Sequence, residues 1–350
     1  MPLRNYGVVK GRPLAHHRET EDDTPHYQIH LDAGGTSFRL PVNVKSSLEP
    51  SQLVYFATAA FLHPVTEPLF ALAPGFHRLS SRPGGTAIDY IRSNLFDFEQ
   101  VIALPHHLPG MDNDLGDLLE SRLNRAMADP EAMVYAFGER WGPEGQRDKV
   151  FGFAPGNGVH DVHMNQGNAG RFVGDDGVWQ DGGFLLHHPR ENRWMALFLA
   201  FQSQALHTDD VTGHALPGSR RFEDVVRDGG AMPPPPDEHE FNDGVVRIVG
   251  ALVNPFGHDP GLESVTLLNL SSEPIDLGGW QIANRNDDRF TIAGVIIGAG
   301  ETARIALPAD IAPLSNKGGE ISLLDRQAAR VHGVAYTSTQ AGRQGWTIAF

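Results

Sequence analysis

The sequence contains no cysteine, so disulfide bonds, thiolate zinc sites and cysteine nucleophiles are all excluded. Its first residues, MPLRNYGVVKGRPLAHH, have no apolar core of signal-peptide length, and no run of about 18 apolar residues occurs elsewhere. We therefore expect a cytoplasmic protein without a membrane span. An export route that needs no cleaved signal stays open.

Basic residues are few. The chain has 28 Lys and Arg against 43 Asp and Glu, a formal net charge of −15. A general positive field for gripping nucleic acid is thus excluded, and nucleic acid is expected only as the substrate of a locally basic or metal-loaded site. The sequence also lacks a P-loop, a dinucleotide-binding glycine fingerprint and a Gly-x-Ser-x-Gly elbow, which argues against a serine hydrolase and those nucleotide-binding classes.

Glycine and proline are frequent, at 39 and 25 of the 350 residues, which favours short strands and turns over long helices. The segment 228–244, DGGAMPPPPDEHEFNDG, is typical of an extended polyproline spacer. It predicts a catalytic domain at 1–227, a linker at 228–244 and a second domain at 245–350. Fourteen of the 17 histidines precede residue 215, so we expect the chemistry in the first domain.

The first domain is predicted to be mixed α and β with strands dominant. Alternating or continuous apolar runs predict strands in YGVVKGRPL, HYQIHLDA, SFRLPVNVKS, AMVYAFG, GGFLLHH and RWMALFLAFQSQ. Helical spacing predicts helices in PSQLVYFATAAF (50–61) and DLGDLLESRLNRAMA (114–128). In the second of these, Leu115, Leu118, Leu119 and Leu123 share a face, and Asp112 or Asn113 is the expected N-cap.

The second domain is predicted to be an all-β sandwich of short strands separated by turns such as LGGW and NKGGE. The order NPFGHDPGLESVTLLNLSSEPIDLGGWQIAN, GAGETARIAL, LSNKGGEISLLD and VAY, over about 245–340, resembles a lamin-tail domain. The resemblance implies an immunoglobulin-like sandwich that serves as an accessory or interaction module, often attached to bacterial hydrolases, and contacts a protein or surface partner.

Residues 1–217 resemble the YukJ-like family of bacterial proteins. The matching stretches are NYGVVKG, PHYQIH, VNVKS, NLFD, PGMDNDL, VYAFGERWGP, VHDVHMNQGN, DGGFLLHHP and AFQSQALHTDDVTGH. The resemblance brings no activity with it, so function is argued from individual residues.

Two polar stretches of the first domain are the candidate site. HDVHMNQGN (160–168) places His160, His163, Asn165, Gln166 and Asn168 between glycines that release the chain from regular structure. QSQALHTDDVTGH follows an apolar run and carries the second group, His207, Asp209, Asp210 and His214. A strand that ends in histidine and aspartate is a common way to present site residues at a sheet edge.

Convergence of these stretches predicts a divalent transition metal, zinc or manganese, because imidazole and carboxylate suit these ions. The expected ligands are drawn from His160, His163, His207, Asp209, Asp210 and His214. The metal would activate water on a phosphoester, with Asn165, Gln166 and Asn168 orienting the substrate. His-x-x-His is not the helical metalloprotease motif, so hydrogen-bonded structural loops stay the alternative.

A metal-free mechanism uses the same residues. His160 or His163 would act as general base or nucleophile, held in one tautomer by Asp161, Asp209 or Asp210, with His207 also catalytic. The His-x-Lys signature of phospholipase D-type enzymes is absent, which disfavours that route.

Three further residues are candidate substrate contacts: Lys45 as a point charge for phosphate, and Glu139 and Arg140 of FGERWGP. Their structural alternatives are a solvated lysine and a Glu–Arg ion pair. Of His187 and His188, we expect one to face a site and the other solvent, since they alternate along a strand.

Two functions remain in competition. The first is a metal-assisted hydrolase of phosphoesters, of phosphodiesterase or nuclease type, with an accessory lamin-tail domain. The second is a ligand-binding or scaffold protein in which the His, Asn and Asp stretches are structural networks.

Overall fold

The computed structural model describes residues 5–19, 25–48, 51–79, 100–106, 113–160, 162–176, 182–206, 208, 212–227, 245–257, 261–286, 288–326, 328 and 330–350. They fall into two compact units. The first contains the described residues up to 216 and 220–227, and the second contains those from 245 to 350 together with Pro217–Ser219. The predicted linker at 228–244 lies outside the described residues, so its conformation stays a prediction.

The first unit is dominated by strands. These are β1 (Tyr6–Arg18), β2 (His26–Asp32), β3 (Ser37–Asn43), β4 (Leu53–Thr58), β5 (Gly75–Arg78), β6 (Ile102–Ala103), β7 (Met133–Glu144), β8 (Gly156–Val159), β9 (Gly182–His188) and β10 (Arg193–Phe201). The helices are α1 (Thr66–Phe70), α2 (Asp114–Ala128) and α3 (Phe222–Arg227), and 3₁₀ turns occupy Gly170–Asp175 and Pro189–Glu191. The predicted strand-rich mixed fold is thus confirmed for this unit.

These strands form one sheet in the order β5-β1-β2-β3-β8-β7-β9-β10-β4-β6, and β1 also pairs with β7. The extra pairing closes β1, β2, β3, β8 and β7 into a ring. It is achieved because β1 is long: its first half pairs with β7 and its second half with β2. Closure removes free edges from these strands and brings residues from distant parts of the chain together.

A hydrophobic core formed by described residues lies against this sheet, and α2 packs into it. Leu115, Leu119 and Leu123 of α2 are fully buried, as the helical spacing predicts, and Leu118 is partly buried. The helix begins at the predicted cap, because the Oδ1 of Asn113 accepts a hydrogen bond from the Gly116 N–H at 2.9 Å.

The helix predicted at 50–61 is wrong. Residues 53–58 form β4, which pairs with β10 on one side and β6 on the other, with Phe56 opposite Phe198. Val54, Tyr55 and Phe56 favour an extended chain, and residues 53–56 are buried. The sheet supplies partners that a local helix would not, so tertiary pairing overrides the local apolar spacing.

The second unit is also built from strands: β11 (Val246–Leu252), β12 (Ser264–Asn269), β13 (Ile275–Asp276), β14 (Gln281–Asn284), β15 (Arg289–Thr291), β16 (Ile296–Ile297), β17 (Thr302–Ala306), β18 (Gly318–Leu324), β19 (Arg330–Thr337) and β20 (Thr347–Ala349), with the short helix α4 (Ser338–Ala341). They form two four-stranded sheets, β17-β12-β11-β20 and β15-β14-β18-β19, and the pair β13-β16. Both larger sheets contribute to one core around Trp280 and Tyr336. The expectation of an all-β unit is confirmed among these residues.

Across the described segments of both units, no helix has the length and apolarity needed to cross a lipid bilayer.

Gly182 allows two parts of the first unit to approach closely. It begins β9, and a Cβ at this position would overlap the backbone of His163. Only glycine permits that contact without displacing the polar stretch that follows β8.

We expect Gly182→Ala to lower the free energy of unfolding by about 1–3 kcal/mol, because the added methyl would overlap the backbone of His163 and force a shift of the chain. Urea unfolding measures the change. Gly145→Ala is the matched control, since a Cβ there meets nothing within 4 Å. Equal stability of the two variants would show that the polar stretch moves freely.

Candidate functional site

The polar stretch 160–168 is hydrogen-bonded to strands of the sheet. Backbone N–H groups donate to carbonyls of three different strands: His160 to Glu139 on β7, Val162 to Pro41 on β3, and Met164 to Leu199 on β10. Val162, Met164 and Gln166 are buried, whereas residues 163 and 165 are half-buried. The stretch therefore follows an extended course through the unit.

The two histidines of this stretch have different surroundings. His160 is exposed and lines a cavity of about 460 Å³. His163 is half-buried, and its ring packs edge-on against Phe201 with the ring centroids 5.3 Å apart.

The C-terminal end of the stretch is hydrogen-bonded to Ala205 and Gly213, both of which lie in the second polar stretch. The N–H of Gly167 donates to the carbonyl of Gly213 at 2.9 Å, and the N–H of Ala205 donates to the carbonyl of Gly167 at 3.1 Å. Gly167 has φ +66°, and a Cβ there would lie 2.8 Å from the Ala205 nitrogen. Glycine is thus required where the two polar stretches join.

A histidine–aspartate pair lies at this junction. The Nδ1 of His214 is 2.9 Å from the Oδ2 of Asp176, whose side chain has no exposed surface. The side chain of His214 is itself 48% exposed. The ring is therefore oriented by a buried carboxylate through Nδ1, while Nε2 is on the opposite side of the ring.

Asn168 holds the aspartate in place. Its backbone N–H and its Nδ2 donate to the Oδ1 of Asp176, at 2.9 and 2.6 Å. Burial raises the pKa of the Asp176 carboxyl above its ordinary value, and the hydrogen bonds from Asn168 and His214 oppose that shift. The carboxylate is thus costly to bury and is compensated by directed donors.

Gln204 connects this pair to the strands. Its side chain is fully buried, and Nε2 donates to the Met164 carbonyl at 2.7 Å and to the Oδ1 of Asn168 at 3.0 Å. Nearby, Thr208 donates to the Oε1 of Gln166 at 3.1 Å. The predicted substrate-orienting amides Gln166 and Asn168 are therefore engaged in holding the two stretches together.

Sequence reasoning missed Asp176 and Gln204. Asp176 is separated from His214 by 38 positions and stands in a run, GDDG, typical of a simple turn. Neither residue has a local signal that distinguishes it, since the pairing exists only after the chain has folded.

Three of the predicted metal ligands, His207, Asp209 and Asp210, lie outside the described residues, as does Asp161. Among the described residues, no group of three or more His, Asp or Glu side chains is positioned to hold a metal ion. The metal site therefore stays a prediction, because three of its expected ligands belong to the undescribed residues that precede His214.

The predicted substrate contacts lie elsewhere. Arg140 packs between the rings of Phe38 and Phe76, 5.4 Å from each centroid, and its Nε donates to the Oδ1 of Asn157. Glu139 precedes it on β7 and is half-buried, and Lys45 is exposed just beyond β3. The contacts of Arg140 suit a structural role.

The expectation that His187 and His188 divide between a site and solvent is wrong, because both are buried. His188 lies 3.3 Å from the carboxylate of Asp129, whereas His187 stacks on Trp194 with the ring centroids 4.2 Å apart. Burial lowers the pKa of His187 to about 4, with the nearby charges of His188 and Lys10 adding to the shift. Elements packed on both faces of β9 leave neither imidazole to solvent.

The first unit is therefore a strand-rich domain with a histidine–aspartate pair where two polar stretches meet. The chain matches the family described as "Uncharacterized conserved protein (DUF2278)" over residues 1–213 and belongs to it. It is also similar to the uncharacterized protein YukJ of Bacillus subtilis (strain 168), at 43% identity over 213 residues that make up 60% of this chain and 93% of that protein. The expected YukJ-like membership is confirmed.

We expect the buried His187 to weaken the fold in acid. The unfolded imidazole takes up a proton near its ordinary pKa of 6.5, whereas the folded one does so only near about 4. The contribution of His187 to the free energy of unfolding is thus unchanged above about pH 6.5. It falls by up to about 3 kcal/mol as the pH drops to 4. Urea unfolding across this range, compared with His187→Gln, isolates the effect; parallel pH profiles would contradict it.

Proposed function

We propose that the first unit is a hydrolase of phosphoesters in which His214, oriented by Asp176, is the general base. The observation that carries the proposal is the 2.9 Å contact between an exposed imidazole and a fully buried carboxylate. This arrangement fixes the tautomer and leaves Nε2 to exchange protons with a substrate.

In the proposed reaction, Nε2 of His214 accepts a proton from the attacking water as its oxygen bonds to phosphorus. The bond from phosphorus to the leaving oxygen breaks, and the imidazolium returns its proton to that oxygen. Asp176 stabilises the imidazolium while it exists, because its Oδ2 accepts from Nδ1. Asn168 is then a positioning residue, since both of its donors hold Asp176.

A second form of the proposal takes zinc or manganese as a cofactor and makes His214 a ligand in place of the base, because Nε2 cannot both hold a metal and accept a proton. A histidine whose Nδ1 bonds a carboxylate is the usual form of a metal-ligating imidazole, so the chemistry of the His214–Asp176 pair fits one ligand of such a site. His207, Asp209 and Asp210 are adjacent in sequence and have suitable ligand chemistry. The metal would polarise the phosphoryl oxygen.

Hydrolysis of bis(para-nitrophenyl) phosphate tests the catalytic role. We expect His214→Ala and Asp176→Asn each to lower kcat/KM by roughly 10²–10⁴-fold, since the first removes the base and the second favours the wrong tautomer. The matched control is the exposed His17→Ala, which should retain full activity.

Unfolding curves accompany these assays, so that loss of activity is separated from loss of fold. A folded Asp176→Asn protein with wild-type activity would show that His214, oriented by Asp176, is not the general base. If the wild-type protein does not hydrolyse the substrate, with or without added zinc or manganese, the phosphodiesterase assignment is wrong.

Elemental analysis by mass spectrometry tests the metal, on protein purified without a histidine tag or chelator. In the metal-dependent form, in which His214 is a ligand and not the base, we expect near-stoichiometric zinc or manganese in the wild-type protein and in His17→Ala, and its loss in His214→Ala. A wild-type protein that stays metal-free after incubation with both ions contradicts the metal site and leaves the base role to the activity assay.

We further propose that the second unit is a lamin-tail-type immunoglobulin-like sandwich that binds a protein or surface partner. Its two four-stranded antiparallel sheets around one core support the fold. Phe256 and Trp346, which are 72% and 64% exposed, support an interaction role, because large aromatic side chains are enriched at binding surfaces.

A ligand-binding or scaffold function is the second candidate. The observation in its favour is the buried network around Gln204. The Gln204 side chain accepts from the Phe201 N–H and donates to the Met164 carbonyl and to Asn168, so it links three parts of the backbone. In that case His214 and Asp176 would belong to the same structural network.

A further inference from the structure

The cavity beside His160 is a second place where polar groups converge in the first unit. Its volume of about 460 Å³ lies within the range of roughly 300–1,000 Å³ usual for small-molecule sites. Residues of β2, β3 and β7 line it together with the loop 146–149. Neither His214 nor Asp176 is among the lining residues.

Arg39 lines this cavity and is held rigidly. Its Nε donates to the Oδ2 of Asp148 at 2.7 Å, its Nη1 donates to the Oε1 of Gln28 at 3.0 Å, and its guanidinium lies 5.1 Å from the ring centroid of Trp141. The Asp148 side chain is fully buried and that of Arg39 is 12% exposed. In the part of the chain that the structure describes, these bonds leave Nη2 without an acceptor.

A fixed guanidinium with a spare N–H edge is preorganised for a carboxylate or a phosphate. Two more basic residues, Arg147 and Lys149, line the same cavity and are exposed. The cavity therefore offers donors for an anionic group.

The lining also contains acidic groups for a cation. Two carboxylates are already engaged: Asp148 bonds Arg39, and Glu19 accepts from the Gln28 side chain at 2.8 Å and from the His26 N–H at 2.9 Å. Glu144 is exposed on β7, and no ion pair to it is found among the described residues. It is a carboxylate available to an ammonium group.

The formal charges of the lining balance, with Arg39, Arg147 and Lys149 against Glu19, Glu144 and Asp148. A phosphate dianion would leave this cavity with uncompensated negative charge, in a chain whose net charge is already −15. A ligand with one group of each sign matches the lining without such excess.

We propose that this cavity binds a small zwitterion with a carboxylate and an ammonium group, of the class of short peptides and amino acids. The carboxylate contacts Arg39 and Lys149, and the ammonium group contacts Glu144. The proposal stands apart from the hydrolase function, because it uses neither His214 nor Asp176.

Titration calorimetry on the full-length protein tests the proposal with alanyl-alanine and two capped analogues. N-acetyl-alanyl-alanine keeps only the carboxylate, and alanyl-alanine amide keeps only the ammonium group. We expect the dipeptide to bind about tenfold or more tightly than either analogue, since each lost charge removes a charge-assisted hydrogen bond. Alanine alone distinguishes an amino-acid site from a peptide site.

Two exposed residues assign the ends of the ligand. Glu144→Gln should weaken the dipeptide about tenfold and leave the acetylated analogue unchanged, whereas Lys149→Ala should weaken the dipeptide and the acetylated analogue alike. Glu120→Gln and Lys317→Ala, at exposed residues outside the lining, should change neither affinity.

Equal binding of the dipeptide and its acetylated analogue, or tighter binding of inorganic phosphate, would make this an anion site and overturn the proposal. Absence of binding by the dipeptide and by alanine at millimolar concentration would also overturn it. His214→Ala should bind the dipeptide like the wild-type protein, so failure of the hydrolase function and failure of this site are separately visible.

Discussion

The buried carboxylate of Asp176 is the constraint on which the candidate site depends. A charged group without exposed surface is stable only with directed hydrogen bonds, and here Asn168 and His214 provide them. Asn168 is in turn held by Gln204, which reaches the backbone beside β10. The orientation of one exposed imidazole is thus set by a chain of contacts that leads into the sheet. A site built in this way keeps its geometry without a bound ligand.

Closure of the sheet makes this chain of contacts feasible. Because β1 pairs with both β2 and β7, the five strands of the ring have fixed neighbours, and the stretch after β8 is fastened to β3, β7 and β10 in turn. Glycine stands at two close approaches of this stretch, Gly167 against Ala205 and Gly182 against His163. Close backbone contact at Gly167 joins the polar stretch to the residues next to His214, so packing and chemistry share the same residues.

The polar stretch also separates two kinds of surface. At its start, His160 faces a cavity in which acidic and basic side chains are balanced and Arg39 is fixed by Asp148. At its end, Asn168 holds Asp176, and Asp176 orients His214. The first surface therefore presents several charged groups of both signs, whereas the second presents one imidazole oriented by a carboxylate. The match to the DUF2278 family extends over residues 1–213, so it includes the cavity residues, Asn168 and Asp176 and ends one residue before His214.

The sequence by itself determined the strand-rich character of both units and the buried face of α2, and it narrowed the N-cap of α2 to Asp112 or Asn113, because these follow from local periodicity and capping chemistry. It left open whether the two polar stretches meet. Only the tertiary structure decided that residues 53–58 form a strand, that His187 and His188 are both buried, and that Asp176 is the partner of His214. The physical reason is the same in each case: the deciding contact joins residues far apart in the chain, and its energy exists only once both sides are packed.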